Sequence, residues 1–262
     1  MNTPEPTYTV NDILDKFESS YIPNLSPRTQ KDYAYHVKTL RQWFGQRMAN
    51  DLKAKDFREF MEVKRGKIQR NRQMAVLSCA FGEAVGRWYM MERNPCRDVK
   101  RHPSRPRTRY ISDTEFHAFK VLLQTRVRLA MELALLIGQR QGDILQLQWT
   151  KVDRVAGVIR IQQSKTGKRL AIGITPAITE VLDRCAALTP EGPNVIRKRN
   201  GGAYTPEGFR AMWQRVMSKW VASGQERFSF HDIRGKCASD CPTIELAYEL
   251  LGHTSIAMTR RI

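Results

Sequence analysis

The sequence predicts a mainly α-helical protein with one small antiparallel β hairpin, divided into two domains. Three observations lead there. Apolar residues recur at helical spacing through most of the chain, behind the pairs Ser26-Pro27, Thr175-Pro176 and Thr205-Pro206. In such a pair the first residue caps a helix and proline takes its first position. A clear β signal is confined to Val158-Ile159-Arg160-Ile161-Gln162 and to Leu170, Ile172 and Ile174, which alternate with Ala171 and Gly173,. Between two helical regions, residues 97–109 carry Lys100, Arg101, Arg105, Arg107 and Arg109, two prolines and almost no apolar side chain. That is the composition of an extended basic linker. The division expected is residues 1–97, a linker over 98–109, and residues 110–262.

Four helices are expected in the first domain. Residues 10–17 have helical apolar spacing, with Asn11 or Asp12 as the cap,. The helix opened by Ser26-Pro27 turns Tyr33, Val37, Leu40, Trp43 and Phe44 inward and ends near Gly45,. A third covers residues 55–63 with Phe57, Phe60 and Met61 apolar. A fourth runs over about 69–90 with Leu77, Phe81, Val85 and Trp88, stopped by Asn94-Pro95,.

In the second domain Ser112-Asp113-Thr114-Glu115 offers a cap and an acidic first turn to a helix running through Leu123,. Residues 126–137 are apolar almost all round, the pattern of a buried central helix, and Gly138 ends it,. A short amphipathic helix with Ile144, Leu145 and Leu147 follows. The polar turn Ser164-Lys165-Thr166-Gly167-Lys168 joins the two strands and puts lysines at the hairpin tip,. Thr175-Pro176 opens a helix to about Leu188. A loop over 189–204 contains Arg197-Lys198-Arg199. Thr205-Pro206 opens another helix, whose Met212, Trp213, Val216, Met217 and Trp220 are at core spacing. Near the end stand Phe230-His231-Asp232-Ile233-Arg234 and, after an apolar run closed by Gly252, Leu251-Gly252-His253-Thr254-Ser255,.

Charge narrows the partners. There are 44 Lys and Arg against 26 Asp and Glu, a formal net charge of +18. So strong a positive field points to a nucleic acid. A membrane surface would favour a basic amphipathic helix, and none is evident. No apolar run nears the roughly 18 residues that span a bilayer. The N-terminus lacks the charged start and apolar core of a secretory signal. Cys79, Cys96, Cys185, Cys237 and Cys241 are scattered without a CxxC pair, as befits free thiols in a reducing cytoplasm. Lys64, Arg65, Lys67, Arg70 and Arg72 form a run without an acid and, with Arg105 and Arg107 in the linker, are candidate phosphate contacts,.

The polar residues at element ends in the second domain make a set: Arg140 after the buried helix, Lys165 on the hairpin turn, His231 and Arg234 on one helix face, and His253 past a helix stop,. There is no DxD, carboxylate cluster or convincing metal set. Fixed cations with two imidazoles suit a pentacoordinate phosphate better than metal-assisted hydrolysis.

In this order, the boxes Ile137-Gly138-Gln139-Arg140-Gln141-Gly142-Asp143, Phe230-His231-Asp232-Ile233-Arg234 and Leu251-Gly252-His253, with a lysine on a β turn between them, resemble the tyrosine recombinase (phage integrase) family over essentially the whole chain. The resemblance implies a helical core-binding domain over 1–97 and a catalytic domain over 110–262. It implies site-specific strand cleavage and rejoining through a 3′-phosphotyrosine, without metal, ATP or other cofactor. Arg140 and Arg234 would hold the non-bridging oxygens of the scissile phosphate. Lys165 would protonate the leaving 5′ oxygen, with Lys168 as its rival. His231 would accept or relay the nucleophile's proton, His253 would donate to a phosphate oxygen, and Asp143 would orient one of these groups. The implied partner is double-stranded DNA at att-type core sites, in the cytoplasm of a bacterial host and away from membranes. The full-length protein would act on it as a homotetramer, with accessory DNA-bending or excision factors. The family's tyrosine lies nine or ten residues past the last histidine, yet Ile262 is nine past His253 and Tyr248 precedes it. The polypeptide is therefore expected to stop just short of its nucleophile, to bind DNA without cleaving it, and to be a monomer alone.

Overall fold

The computed structural model describes residues 7–63, 66–104 and 109–260. The chain divides into two compact units, residues 1–105 and 106–262. Both are mainly helical, and the second holds a small three-stranded antiparallel sheet. Among the described residues no helix is long and apolar enough to cross a membrane.

The first unit is built from α1 (Val10–Lys16), α2 (Pro27–Phe44), α3 (Arg58–Glu62) and α4 (Lys67–Gly86). The cap of α1 is Thr9, not Asn11 or Asp12. Asp12 is the third helical residue and closes a capping box with Thr9, whose backbone N–H it accepts at 2.7 Å,. The buried faces of these helices meet in one core around Leu14, Phe17, Leu40, Phe44, Phe60, Leu77 and Phe81. Trp43 does not join them. It stays 36% exposed, edge-on to Phe60 with ring centroids 5.4 Å apart. The fourth helix stops at Gly86, short of position 90, and Tyr89 takes a left-handed φ of 55°.

The front of the expected linker is part of this unit. Residues 95–98 form a 3-10 turn capped by Asn94. His102 and Asn71 exchange hydrogen bonds at 2.9 and 2.8 Å, and the His102 ring donates to the Met61 carbonyl at 2.6 Å. On the far side of the division, Arg109 pairs with Glu115 and Glu226. Residues expected to run free are therefore held at both ends, because their polar groups find partners on helices already in place.

The second unit packs α5 (Asp113–Leu122), α6 (Thr125–Ile137), α7 (Gln141–Gln146), α8 (Pro176–Ala186), α9 (Pro206–Ala222), α10 (Phe230–Ser239), α11 (Ile244–Leu251) and α12 (Ile256–Thr259) beside β1 (Val152–Asp153), β2 (Val158–Gln162) and β3 (Arg169–Gly173). The sheet order is β1-β2-β3, with Ile159 opposite Ile172. The apolar helix α6 is the centre of the core and packs against α8 and α10. Glu132, buried in it, is matched by Lys120 and Arg184. Trp213, Trp220, Phe228 and Phe230 gather around Phe119 and one another, mostly edge to face, as core packing,. The five cysteines are free thiols.

Candidate active site

Two left-handed glycines set the geometry. Gly138 ends α6 at φ 61°, and a Cβ there would meet Leu251 Cδ2 at 2.9 Å and Cys237 Sγ at 3.0 Å. Gly252 ends α11 at φ 61°, and a Cβ there would meet Leu170 Cδ1 at 3.0 Å. Both stops thus let distant segments close on one point where any side chain would hold them apart.

Arg140 follows the first stop, at the cap position of α7, and donates to Gln163 Oε1 at 2.8 Å. Asp143, one turn on, accepts the Ser164 N–H and hydroxyl on the same oxygen, both at 2.8 Å. It thereby holds the residue before Lys165 and fixes where the hairpin turn points. Arg234 is 3% exposed and donates to the carbonyls of Gly138 at 2.6 Å and Leu251 at 2.7 Å. One carbonyl belongs to the residue that caps α6 and the other to the last residue of α11, where the helices leave carbonyls without helical partners,. His253 Nδ1 lies 2.9 Å from the Thr259 hydroxyl on α12.

Arg140, Lys165, His231, Arg234 and His253 line one cleft of about 370 Å³, together with Arg109 and Tyr110. Lys168 does not line it. Its Nζ donates to the His253 carbonyl at 3.1 Å and lies 5.3 Å from the centre of the Tyr248 ring. The pairing of β2 with β3 decides between the two lysines, sending one into the cleft and the other onto α11.

The cleft strongly favours added negative charge. Arg234 is lowered to about 10, by burial first and then by Arg140, so it stays a cation at neutral pH. His253 is pushed down to about 4, by burial first and then by Arg234 and Arg140. His231, exposed at the rim, is also lowered, by partial desolvation and then by Arg234. Both rings are neutral near pH 7, waiting for an anion to restore their basicity.

This has a measurable consequence. Between about pH 6.5 and 4 the unfolded chain binds a proton at position 253 that the folded chain refuses, so stability rises with pH across that window,. The melting temperature should fall as pH drops from 7 to 5, and should fall less in His253→Gln. Equal slopes for the two proteins would contradict the assignment.

One buried residue that braces the site without lining it is not apparent in the sequence. Lys236 is 1% exposed, paired with Asp113 at 2.6 Å and Asp240 at 3.0 Å, and 5.0 Å from the Tyr110 ring centre. Burial opposes its charge, but the two carboxylates outweigh it and hold its pKa above the ordinary value. It ties the entry of the unit to the helix that carries His231 and Arg234. Its spacing to Asp240 was the one available signal.

In the first unit Lys67 and Arg72 are exposed on α4. Arg70 is turned inward, its guanidinium 4.4 Å from the Phe60 ring centre and 5.5 Å from that of Trp43. That stacking orients the guanidinium against the two rings. Lys64, Arg65, Arg105 and Arg107 lie outside the described residues.

Comparison with known proteins bears on this arrangement. Residues 114–262, more than half of the chain, match the phage integrase family. The chain belongs to that family. Phage integrases similar to it include that of Enterobacteria phage 434, 24% identical over 271 residues that cover 95% of this chain and 74% of that protein. The ICEBs1 integrase of Bacillus subtilis (strain 168) is 34% identical over 184 residues, covering 68% of this chain and 44% of that protein. Among solved structures, a lambda integrase dimer bound to a COC′ core site superposes with a TM-score of 0.84 at 24% identity, over 97% of this chain and 95% of that one. The last likeness is one of fold, over nearly the whole chain.

Proposed function

We propose that this chain is a site-specific DNA recombinase, acting on double-stranded DNA at att-type core sites through a 3′-phosphotyrosine. The observation that carries the proposal is the convergence of two arginines, two histidines and a lysine, from segments more than a hundred residues apart, on one open cleft. A DNA phosphodiester is the ligand such a cleft suits. Arg140 and Arg234 hold its non-bridging oxygens, each guanidinium keeping N–H donors beyond those bound to protein,. Lys165, on a turn fixed through Asp143, protonates the leaving 5′ oxygen. In the tautomer whose Nδ1 accepts from the Thr259 hydroxyl, the neutral His253 ring carries its proton on Nε2 and offers it as a hydrogen bond to a phosphate oxygen,. Neutral His231 accepts the proton of the attacking tyrosine. Exposed Lys67 and Arg72 in the first unit, with Lys64, Arg65, Arg105 and Arg107, supply sequence-independent phosphate contacts.

The lambda integrase neighbours are a dimer on a core site and a tetramer on a Holliday junction. By analogy the active assembly is a homotetramer on DNA in the bacterial cytoplasm, with accessory bending or excision factors.

Within this sequence no tyrosine stands nine or ten residues beyond His253. The 262-residue polypeptide should therefore bind a nicked duplex, selected from a randomised pool, without forming a denaturation-resistant adduct. Ile262→Tyr, or a tyrosine placed directly after Ile262, should give that adduct. Tight binding without an adduct in either case would favour the second reading, a degenerate recombinase that occupies DNA without cutting it. An adduct from the unaltered polypeptide would show that a residue within these 262 serves as the nucleophile.

A further inference from the structure

Gln163 follows the last residue of β2, and its side chain is fully buried. All four hydrogen-bonding positions of its amide are used. Oε1 accepts from Arg140 at 2.8 Å and from the Thr166 hydroxyl at 2.9 Å. Nε2 donates to Gln139 Oε1 at 2.9 Å and to the Leu251 carbonyl at 2.8 Å. The Leu251 carbonyl also receives Arg234, at 2.7 Å. A continuous path therefore runs from one arginine to the other: Arg140, the Gln163 amide, the Leu251 carbonyl, Arg234. Gln139 braces it through the Leu250 carbonyl at 2.7 Å.

We propose that Gln163 is a positioning residue that sets the spacing of Arg140 and Arg234 and aims Arg140 into the cleft without cancelling its charge. This rests on reading the cleft as a phosphate site. The two cations repel, and Arg140 is half-buried with open solvent nearby. Without a fixed acceptor it would swing outward, where its charge is better hydrated. A carboxylate at 163 would hold it, but would form an internal ion pair and compete with the phosphate for the same N–H groups. A neutral amide oxygen gives direction and leaves the charge for the ligand. The amide's other end ties that direction to the carbonyl that fixes Arg234, so the two guanidiniums are set as a pair. Preset donors of this kind stabilise a charged phosphate without reorganising when it binds.

The test is titration of the 262-residue protein with inorganic phosphate at constant ionic strength, followed by the histidine ring resonances of His231 and His253. Both should shift and saturate in the unaltered protein, and Arg140→Ala should weaken the response. If the unaltered protein shows no saturable shift, or Arg140→Ala titrates identically, the phosphate reading itself fails. Where that reading stands, Gln163→Met should weaken phosphate binding roughly 10-fold or more, the loss of a charge-assisted hydrogen bond. Gln163→Glu should weaken it further, because its carboxylate takes Arg140.

Thr166 is exposed, so Thr166→Val should fold normally and loosen the amide, with about a 2–3-fold weaker titration,. A Gln163 that serves packing alone would lower the melting temperature of its variants and leave phosphate affinity unchanged. Unaltered titration by folded Gln163→Met and Gln163→Glu would therefore overturn the proposal. If neither variant folds, unaltered titration by Thr166→Val overturns it.

Discussion

Arg234→Met is expected to abolish phosphate-dependent binding in the cleft and to destabilise the second unit by about 2–4 kcal/mol. Few residues in the chain should show so large a combined effect. The side chain fills a buried position and satisfies the Gly138 carbonyl at 2.6 Å and the Leu251 carbonyl at 2.7 Å. Methionine replaces the volume but leaves the Gly138 carbonyl without its donor, while Leu251 keeps Gln163. Relief of repulsion with Arg140 returns part of the loss, which is why the figure is not higher. Arg234→Lys should restore charge but not function, since one ammonium cannot bridge two carbonyls and present a fork to phosphate as well. In a tyrosine-bearing form of the chain, strand cleavage by either variant should fall about 10²–10³-fold or more. Calorimetric melting read beside adduct formation checks both halves, and normal adduct yield from Arg234→Met would remove the residue from the site.

Arg197→Met should destabilise the same unit by about 3–5 kcal/mol, lowering its melting temperature by on the order of 10 °C. The sequence groups Arg197 with Lys198 and Arg199 in a basic loop. In the fold Arg197 is 1% exposed and donates to the carbonyls of Pro190 at 2.9 Å, Cys185 at 3.0 Å, Ala186 at 3.4 Å and Leu188. Two of these belong to the last turn of α8, where unpaired carbonyls concentrate negative charge,. Removing the guanidinium strands several buried acceptors at once. Arg199→Ala, on an exposed neighbour, should change stability by under about 0.5 kcal/mol,. A scan that found the two substitutions equal would show that the buried network contributes little.

These two arginines mark where local sequence stops being informative. Helix starts were legible because a cap is a local event: Ser112 with Glu115, Ser26 before Pro27 and Thr205 before Pro206 carry their own instructions,. Thr9 is hard to single out in the sequence because Asp12, its capping-box partner, is itself a good cap residue. The two-residue β1 exists only by pairing with β2, so no pattern of its own announces it. Trp43 has core spacing but lies at the edge of its helix's buried face, where Arg70 covers it.

By itself the sequence determined the fold class, most of the helical starts, the strong positive charge, and which residue types were available for phosphate chemistry. All of these depend on neighbours a few positions away or on composition. Only the tertiary structure decided that Lys165 enters the cleft while Lys168 holds the His253 carbonyl, that Arg197 is a packing residue, that Arg70 stacks on Phe60, and that Gln163 joins the two arginines. Each of those outcomes rests on a carbonyl, ring or amide supplied from a distant segment, and a side chain's role is set by the partner that reaches it first.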